Sequence, residues 1–142
     1  MSPDHDPAAI VFLDANVLIS AAWKEGAEIA QNWNFDSILL VTSSYVLGEV
    51  QRNLHQPSQI ERMRILLRSV RVLYFEGLPE LPEILVLPEK DRPVLSGAIL
   101  AGANQLVSGD KRHFGPLYGM MIRGVRITSP PELLTVLRLQ LP

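Results

Sequence analysis

Short apolar stretches rich in β-branched residues alternate along this chain with segments in which apolar residues recur at helical spacing. The apolar stretches predict five strands, over residues 10–13, 38–41, 70–75, 105–107 and 125–128. The remaining segments predict helices over residues 15–23, 26–33, 45–54, 59–69, 93–103 and from 130 to about 139. Strands that alternate with helices form parallel units, and strands that are apolar on both faces need cover on both sides. The pattern therefore predicts a three-layer α/β/α sandwich.

Breaks in the pattern mark the ends of the predicted elements. Asn34 and Asp36 end the second helix, and Pro57 with the serine after it separates the third helix from the fourth. Residues 77–88 contain three prolines and predict a loop, in which residues 84–87 could pair briefly as a strand. None of these breaks is long enough to divide the chain, so we expect one domain over all 142 residues.

The composition narrows the class of protein. Of the 142 residues, 47% are hydrophobic and 20% are charged, which suits a folded domain with a substantial core. No apolar run approaches the ~18–20 residues of a membrane span, so we expect no membrane partner. The absence of cysteine excludes a disulfide scaffold, a thiolate metal site and a cysteine nucleophile. Residues 1–9 carry two Asp and no Lys or Arg, unlike a secretory signal, and predict a cytoplasmic protein.

Charge is segregated along the chain, although the formal net charge is only −2. Five arginines and one acid lie between residues 51 and 71, whereas five acids and one lysine lie between residues 75 and 91. The whole-chain charge therefore hides local patches of each sign. This segregation is compatible with a polyanionic ligand but does not require one.

Two acidic residues follow predicted strands. Asp14 comes directly after the first strand, and Asp110 comes shortly after the fourth. In an open parallel sheet, ligands bind at the carboxyl ends of the strands, so both carboxylates would lie at the same edge. Asp is also a common helix cap and turn residue, so either residue alone has an equally good structural explanation.

Two further acids lie on or beside predicted helices. Glu49 lies at the border of the apolar stripe of the third helix, and Asp91 lies at a helix start, where the dipole favours an acid. Four carboxylates could gather only if the first and fourth strands were neighbours and a counter-charge were present, because like charges repel. A divalent cation supplies that charge, and oxygen ligands without cysteine or paired histidines favour Mg²⁺ or Mn²⁺ over zinc. The chemistry that follows is metal-assisted hydrolysis of a phosphodiester.

Three stretches together resemble the PIN domain, the fold of VapC-type toxin ribonucleases and related nucleases. They are VFLDANVLIS at 11–20, SSYVLGEV at 43–50, and KDRPVL at 90–95 continuing to VSGDKRHF at 107–114. Their order and spacing, over a core of about residues 10–135, are those of the family. The resemblance implies a five-stranded parallel sheet in the order 3-2-1-4-5 and cleavage of RNA with Mg²⁺ or Mn²⁺. Many members pair with an antitoxin and form dimers, so the resemblance also implies an antitoxin partner and a homodimer.

The resemblance assigns roles to individual residues. The family's metal-binding and catalytic acids correspond to Asp14, Glu49, Asp91 and Asp110. Two polar residues would support them. Asn16 matches the polar residue two positions after the first acid, and the Ser108 hydroxyl could hold a metal-bound water or a ligating carboxylate.

The chain departs from the family pattern at two places. Lys111, Arg112 and His113 stand where many relatives carry a further acid, and Arg92 follows Asp91 where some relatives have a second one. His113 could contact a phosphate or orient the fourth acid. A single histidine near a helix start is more often structural, so both interpretations stay open.

Several cations could contact the phosphates of RNA. The candidates are Lys111 and Arg112 beside the fourth acid, and Arg62 and Arg68 on the fourth predicted helix. The alternative is that the arginines only solvate an exposed helix face. Arg62 and Arg64 lie about 200° apart around that helix, so its arginines cannot all line one groove.

Three functions are compatible with these residues. The leading hypothesis is a metal-dependent endoribonuclease that uses an activated water and no covalent intermediate, acting as a toxin or in RNA processing. The alternative is a PIN-like module that binds RNA or protein with little turnover, which the complete set of four acids disfavours. A phosphotransfer domain ranks third, because Asn16 stands where aspartyl-phosphate enzymes have a second Asp.

Overall fold

The structure is a computed structural model that describes residues 9–31, 33, 38–83 and 85–140. The strands in this part of the chain are Ala9–Leu13 (β1), Ile38–Ser43 (β2), Val70–Leu73 (β3), Gln105–Val107 (β4), Met121–Ile122 (β5) and Val125–Thr128 (β6). The helices are Ala15–Trp23 (α1), Glu28–Gln31 (α2), Ser44–Asn53 (α3), Pro57–Leu66 (α4), Arg92–Leu100 (α5) and Pro130–Gln140 (α6). Short 3₁₀ turns lie at Leu67–Ser69, Glu89–Asp91 and Gly115–Leu117. Within these described ranges, no helix has the length and apolar character needed to cross a membrane.

The strands form one mixed sheet in the order β3-β2-β1-β4-β6-β5, flanked by helices. Neighbouring strands are parallel except β5, which pairs antiparallel with β6. The predicted α/β class is confirmed, and the parallel strands follow the predicted order 3-2-1-4-5. Leu13 at the end of β1 lies opposite Val107 at the end of β4. The residues that follow these two strands therefore emerge at the same edge of the sheet.

The prediction of a five-stranded, wholly parallel sheet is wrong, because β5 adds a sixth strand at the edge. β5 has two residues, and the turn that joins it to β6 runs through Arg123 and Gly124, whose φ angles are 48° and 86°. Two successive positive φ angles give the tight turn that an antiparallel hairpin needs. A two-residue strand has no readable alternation of apolar and polar positions, so the sequence pattern could not indicate it.

The two central strands are buried on both faces. Val11, Phe12 and Leu13 of β1 are at most 1% exposed, and Leu106 and Val107 of β4 are fully buried. Because successive side chains of a strand point to opposite faces, consecutive buried residues need packing on each side of the sheet. Burying each of these side chains contributes roughly 1.5–3 kcal/mol. This packing holds the ends of β1 and β4 in place, and with them the acids that follow.

The helix boundaries differ from the predicted ones for local reasons. α3 starts where predicted within one residue, because the Ser43 hydroxyl caps it and accepts the N–H of Val46 at 3.3 Å. α4 includes Pro57 rather than following it, since a proline in the first turn needs no N–H partner. α2 is shorter than predicted, and the two residues predicted to end it, Asn34 and Asp36, lie outside the described residues.

The proline-rich loop before α5 is held by Arg92. The Arg92 guanidinium donates to the carbonyl oxygens of Leu81, Pro82 and Leu85 at 3.0, 2.8 and 3.1 Å. The brief strand considered for residues 84–87 does not form in the described part of that segment, which leaves out its first residue. Arg92 therefore organises the loop that precedes α5.

Candidate metal centre

Asp14 lies between β1 and α1 and is only 4% exposed. Its backbone N–H donates to the carbonyl of Val107 at 3.0 Å, which continues the pairing of β1 with β4. Asp14 Oδ1 accepts the N–H of Ala15, and Oδ2 accepts the hydroxyl of Ser108, each at 2.8 Å. The residue therefore caps α1, as its structural explanation predicts, and also directs one carboxylate oxygen towards the end of β4.

Burial raises the pKa of the Asp14 carboxyl from 3.8 to about 6. The hydrogen bonds from Ser108 and Ala15 act in the opposite direction and lower this pKa. The negative charges of Glu49 and Asp91 raise it further. Carboxylates from three separate elements therefore lie close enough to destabilise one another's charge.

Ser108 links Asp14 to Asp110. Its buried hydroxyl donates to Asp14 Oδ2 and accepts the backbone N–H of Asp110 at 3.1 Å. Beside it, Asn16 Oδ1 accepts the N–H of Gly109 at 2.8 Å, which ties the start of α1 to the loop after β4. Asp14 and Asp110 therefore lie at the same edge of the sheet, joined through one hydroxyl.

Asp91, Asp110 and His113 bring three potential ligand atoms within 4.8 Å of one another. His113 Nδ1 lies 2.8 Å from Asp110 Oδ2 and 3.1 Å from Asp91 Oδ2. Although these contacts are short, Asp91 Oδ2 and His113 Nδ1 are buried atoms without a partner in hydrogen-bond geometry. Buried polar atoms are rarely left in this state, and an ion or water between them is a usual reason. The donor set of two carboxylates and an imidazole fits a divalent cation.

The charge of Asp91 is poorly balanced by the protein itself. The residue is 7% exposed, and this burial raises the pKa of its carboxyl. Lys90 and His113 lower the pKa, whereas Asp110 and Glu49 raise it. Lys90 Nζ lies 3.9 Å from Asp91 Oδ1, but the lysine side chain is 61% exposed and is screened by water. The pKa stays above its usual value, so a further positive charge would be favourable here.

Glu49, half-buried on α3, adds the fourth predicted acid. Its charge raises the pKa of both Asp14 and Asp91, so it lies near both. Tyr45, one helical turn earlier, donates its hydroxyl to the carbonyl of Lys90 at 2.6 Å and ties α3 to the segment that carries Asp91. Among the residues that the structure describes, Asp14 and Glu49 are not in the group whose ligand atoms lie within 4.8 Å.

Of the four cations predicted to contact RNA, three are exposed and one binds another helix. Lys111 and Arg112 are exposed directly beside the acids, and Arg68 is exposed on the 3₁₀ turn after α4. Arg62 is half-buried and donates to the carbonyls of the last two residues of α1 at 2.9 and 3.0 Å. That end of α1 lies ~12 Å along the helix axis from the acids. The geometry gives Arg62 a helix-capping role, because it pairs carbonyls that the helix leaves open.

Two tyrosines support the site although the sequence did not single them out. The Tyr118 hydroxyl donates to the carbonyl of Ser108 at 2.6 Å, and burial and then the charge of Asp110 raise its pKa. Tyr45 has a weak sequence signal, since it lies four residues before Glu49 and shares a helix face with it. Tyr118 lies in a turn without periodicity, so no pattern could have indicated its contact.

No protein-family model matches this sequence, and no curated protein matches it. The fold is similar to that of a chain in the crystal structure of VapBC2 from Rickettsia felis, bound to a DNA fragment from their promoter. The alignment covers 84% of this chain and 98% of that chain, with a TM-score of 0.62 and 18% sequence identity. At this identity the likeness shows the fold, and the PIN-like fold predicted from the motifs is confirmed.

Proposed function

We propose that this chain is a metal-dependent endoribonuclease that hydrolyses RNA phosphodiester bonds with an activated water and no covalent intermediate. The observation that carries the proposal is a pair of buried, unpartnered atoms, Asp91 Oδ2 and His113 Nδ1, at the edge where Asp14 and Asp110 meet. Ligands bind at this edge in open parallel sheets. The PIN-like fold supports a nuclease by analogy only, so the site residues carry the argument.

The acids would hold a divalent cation, Mg²⁺ or Mn²⁺. Asp91 and Asp110 offer the closest oxygens, while Asp14 and Glu49 add negative charge beside them. When bound, the cation would supply Lewis-acid activation of water and charge stabilisation on the phosphodiester. Ser108 holds the Asp14 carboxylate in position and favours its ionised form, which is the form that attracts a cation.

The surroundings of the acids suit a polyanionic substrate once the negative charge of the site is balanced. Lys111 and Arg112 are exposed next to Asp110 and can contact backbone phosphates. Such contacts position a nucleic acid without reading its sequence. We therefore assign these two residues to substrate positioning.

The proposal is tested with Asp14→Asn and Asp110→Asn, assayed on RNA with Mg²⁺, with Mn²⁺ and with EDTA. Glu76→Gln is the matched control, because it removes one carboxylate from an exposed loop position. We expect the unmodified chain and the control to cleave RNA with metal and not with EDTA, and both Asn variants to lose most of this activity. Full cleavage by either Asn variant, or in EDTA, contradicts the proposal. Tight RNA binding without cleavage would instead favour a binding module.

We further propose that the chain is the toxin of a toxin–antitoxin pair and binds a protein antitoxin. The similar chain belongs to a VapBC2 assembly bound to promoter DNA, which supports a partner for this chain by analogy. The test is co-expression with any small gene directly upstream. Co-purification of its product with loss of RNA cleavage is the expected result. Cleavage that is unchanged by that product would favour a role in RNA processing.

A further inference from the structure

We propose that His113 is itself a metal ligand, so that the centre binds a first-row transition-metal ion such as Mn²⁺ more tightly than Mg²⁺. This inference rests on the proposed metal-dependent function and concerns which ion the centre selects. It differs from the expectation of oxygen ligands alone, in which His113 only orients an acid or contacts a phosphate.

The distances around His113 Nδ1 place it within reach of an ion shared with both carboxylates. The nitrogen lies 2.8 Å from Asp110 Oδ2 and 3.1 Å from Asp91 Oδ2. Ligand atoms ~2.1 Å from a shared ion lie about 3.0–3.4 Å apart. One ion can therefore contact all three atoms with little movement of the side chains.

The hydrogen bonds among the described residues leave two buried atoms of this arrangement unsatisfied. A histidine between two acids usually donates a proton to one of them, but neither His113 Nδ1 nor Asp91 Oδ2 has a partner in hydrogen-bond geometry. The Asp91 side chain is only 9% exposed, so bulk solvent has little access to its charge. An ion placed between these atoms satisfies both at once.

The local backbone holds the imidazole against the acids. Asp110 Oδ1 accepts the backbone N–H of His113 at 3.1 Å, which leaves Oδ2 facing the ring nitrogen. The next residue, Phe114, is fully buried and donates its N–H to the carbonyl of Asp110 at 2.9 Å. The turn is therefore anchored on both sides of His113, and the ring is positioned before any ion binds.

The chemistry of the donors sets the preference among ions. Carboxylate oxygens suit Mg²⁺ and Mn²⁺ alike, whereas an imidazole nitrogen suits first-row transition metals and not Mg²⁺. One nitrogen among oxygen ligands therefore shifts the selectivity away from Mg²⁺. Within that group, Mn²⁺ is the ion that also suits the two carboxylates.

The first measurement is pulsed electron paramagnetic resonance on the untagged full chain with bound Mn²⁺. We expect a ¹⁴N coupling from one imidazole, and calorimetry should show tighter binding of Mn²⁺ than of Mg²⁺. His113→Asp, which replaces nitrogen by oxygen, should remove the coupling and narrow the Mn²⁺/Mg²⁺ affinity ratio by about tenfold or more. His55→Asp is the matched control at an exposed histidine. It should leave the ¹⁴N coupling and the affinity ratio unchanged.

Bound Mn²⁺ without ¹⁴N coupling, or equal affinities for the two ions, overturns the assignment, and neither result depends on the folding of a variant. RNA cleavage measured in parallel separates this inference from the proposed function. Coupling without any cleavage supports the ligand and contradicts the nuclease. Equal cleavage with Mg²⁺ and with Mn²⁺, without a ¹⁴N coupling in the Mn²⁺ spectrum, supports the nuclease and contradicts the ligand. A chain that binds no Mn²⁺ overturns both.

Discussion

Replacing Asp14 by Asn should stabilise the metal-free chain near neutral pH, because the substitution removes a charge that folding buries. Burial raises the pKa of this carboxyl from 3.8 to about 6. Each unit of difference between the folded and unfolded states corresponds to about 1.4 kcal/mol, so ionised Asp14 costs the folded chain on the order of 3 kcal/mol. The loss of a favourable hydrogen bond with Ser108 reduces the expected gain to roughly 1–3 kcal/mol.

The contribution of Asp14 to stability falls as the pH rises, because the folded state binds the Asp14 proton more tightly than the unfolded state does. Below pH 3.8 the carboxyl is protonated in both states, so it imposes no cost. The cost grows as the pH rises to about 6, and it is fully present above that pH. The stabilities of the Asn variant and the unmodified chain should therefore diverge across this window, with the variant more stable above it.

Urea unfolding in EDTA at a series of pH values between 4 and 7 measures this difference, with Glu76→Gln as the exposed control. In thermal unfolding, each kcal/mol corresponds to a shift of roughly 2–4 °C in Tm. Saturating Mn²⁺ should reduce or reverse the difference in stability between the Asn variant and the unmodified chain. An ion at 100 times its Kd stabilises the chain that binds it by about 2.7 kcal/mol. A variant that is less stable than the unmodified chain by the same amount at every pH would refute the reasoning.

Three further substitutions separate support of the site from substrate contact. Tyr45→Phe removes the hydrogen bond to Lys90 and should lower RNA cleavage at saturating metal while costing about 1 kcal/mol in urea unfolding; unchanged cleavage would show that this link is dispensable. Arg62→Ala should lower stability by about 1–3 kcal/mol and leave RNA affinity unchanged, whereas a large loss of RNA affinity would assign Arg62 to the substrate. Replacing both Lys111 and Arg112 by Ala should reduce the slope of log affinity against log salt by about 1.4, as expected for two lost phosphate contacts on a single strand, and an unaltered slope would exclude those contacts.

The sequence predicted the central part of this fold because its strands are dense in β-branched residues and buried on both faces. The ends of β1 and β4 follow directly from those stretches, and they place Asp14 and Asp110 at one edge. The neighbouring position of these two strands came from the resemblance to a family, because periodicity does not determine strand order. Given that strand order, the position of Asp91 near Asp110 follows from where α5 starts, because Asp91 directly precedes that helix.

Other features depend on contacts that no pattern encodes. The side chain of Arg62 turns back to the end of α1, which a count of charges along a helix cannot reveal. Whether His113 faces the acids or the solvent depends on the turn that Asp110 closes with its side chain. The direction of the Tyr118 side chain is likewise set by its turn, and its contact with Ser108 joins two loops across the sheet edge. Side-chain direction in turns is decided by tertiary packing, so these roles needed the structure.

The most direct test of a metal centre formed by distant carboxylates is anomalous diffraction at the manganese edge from a crystal of the full chain soaked in Mn²⁺. We predict a peak within about 2.2 Å of Asp91 Oδ2 and Asp110 Oδ2, at the sheet edge shared with Asp14. An ion bound only elsewhere, or no ion at this edge at saturating Mn²⁺, would contradict the centre.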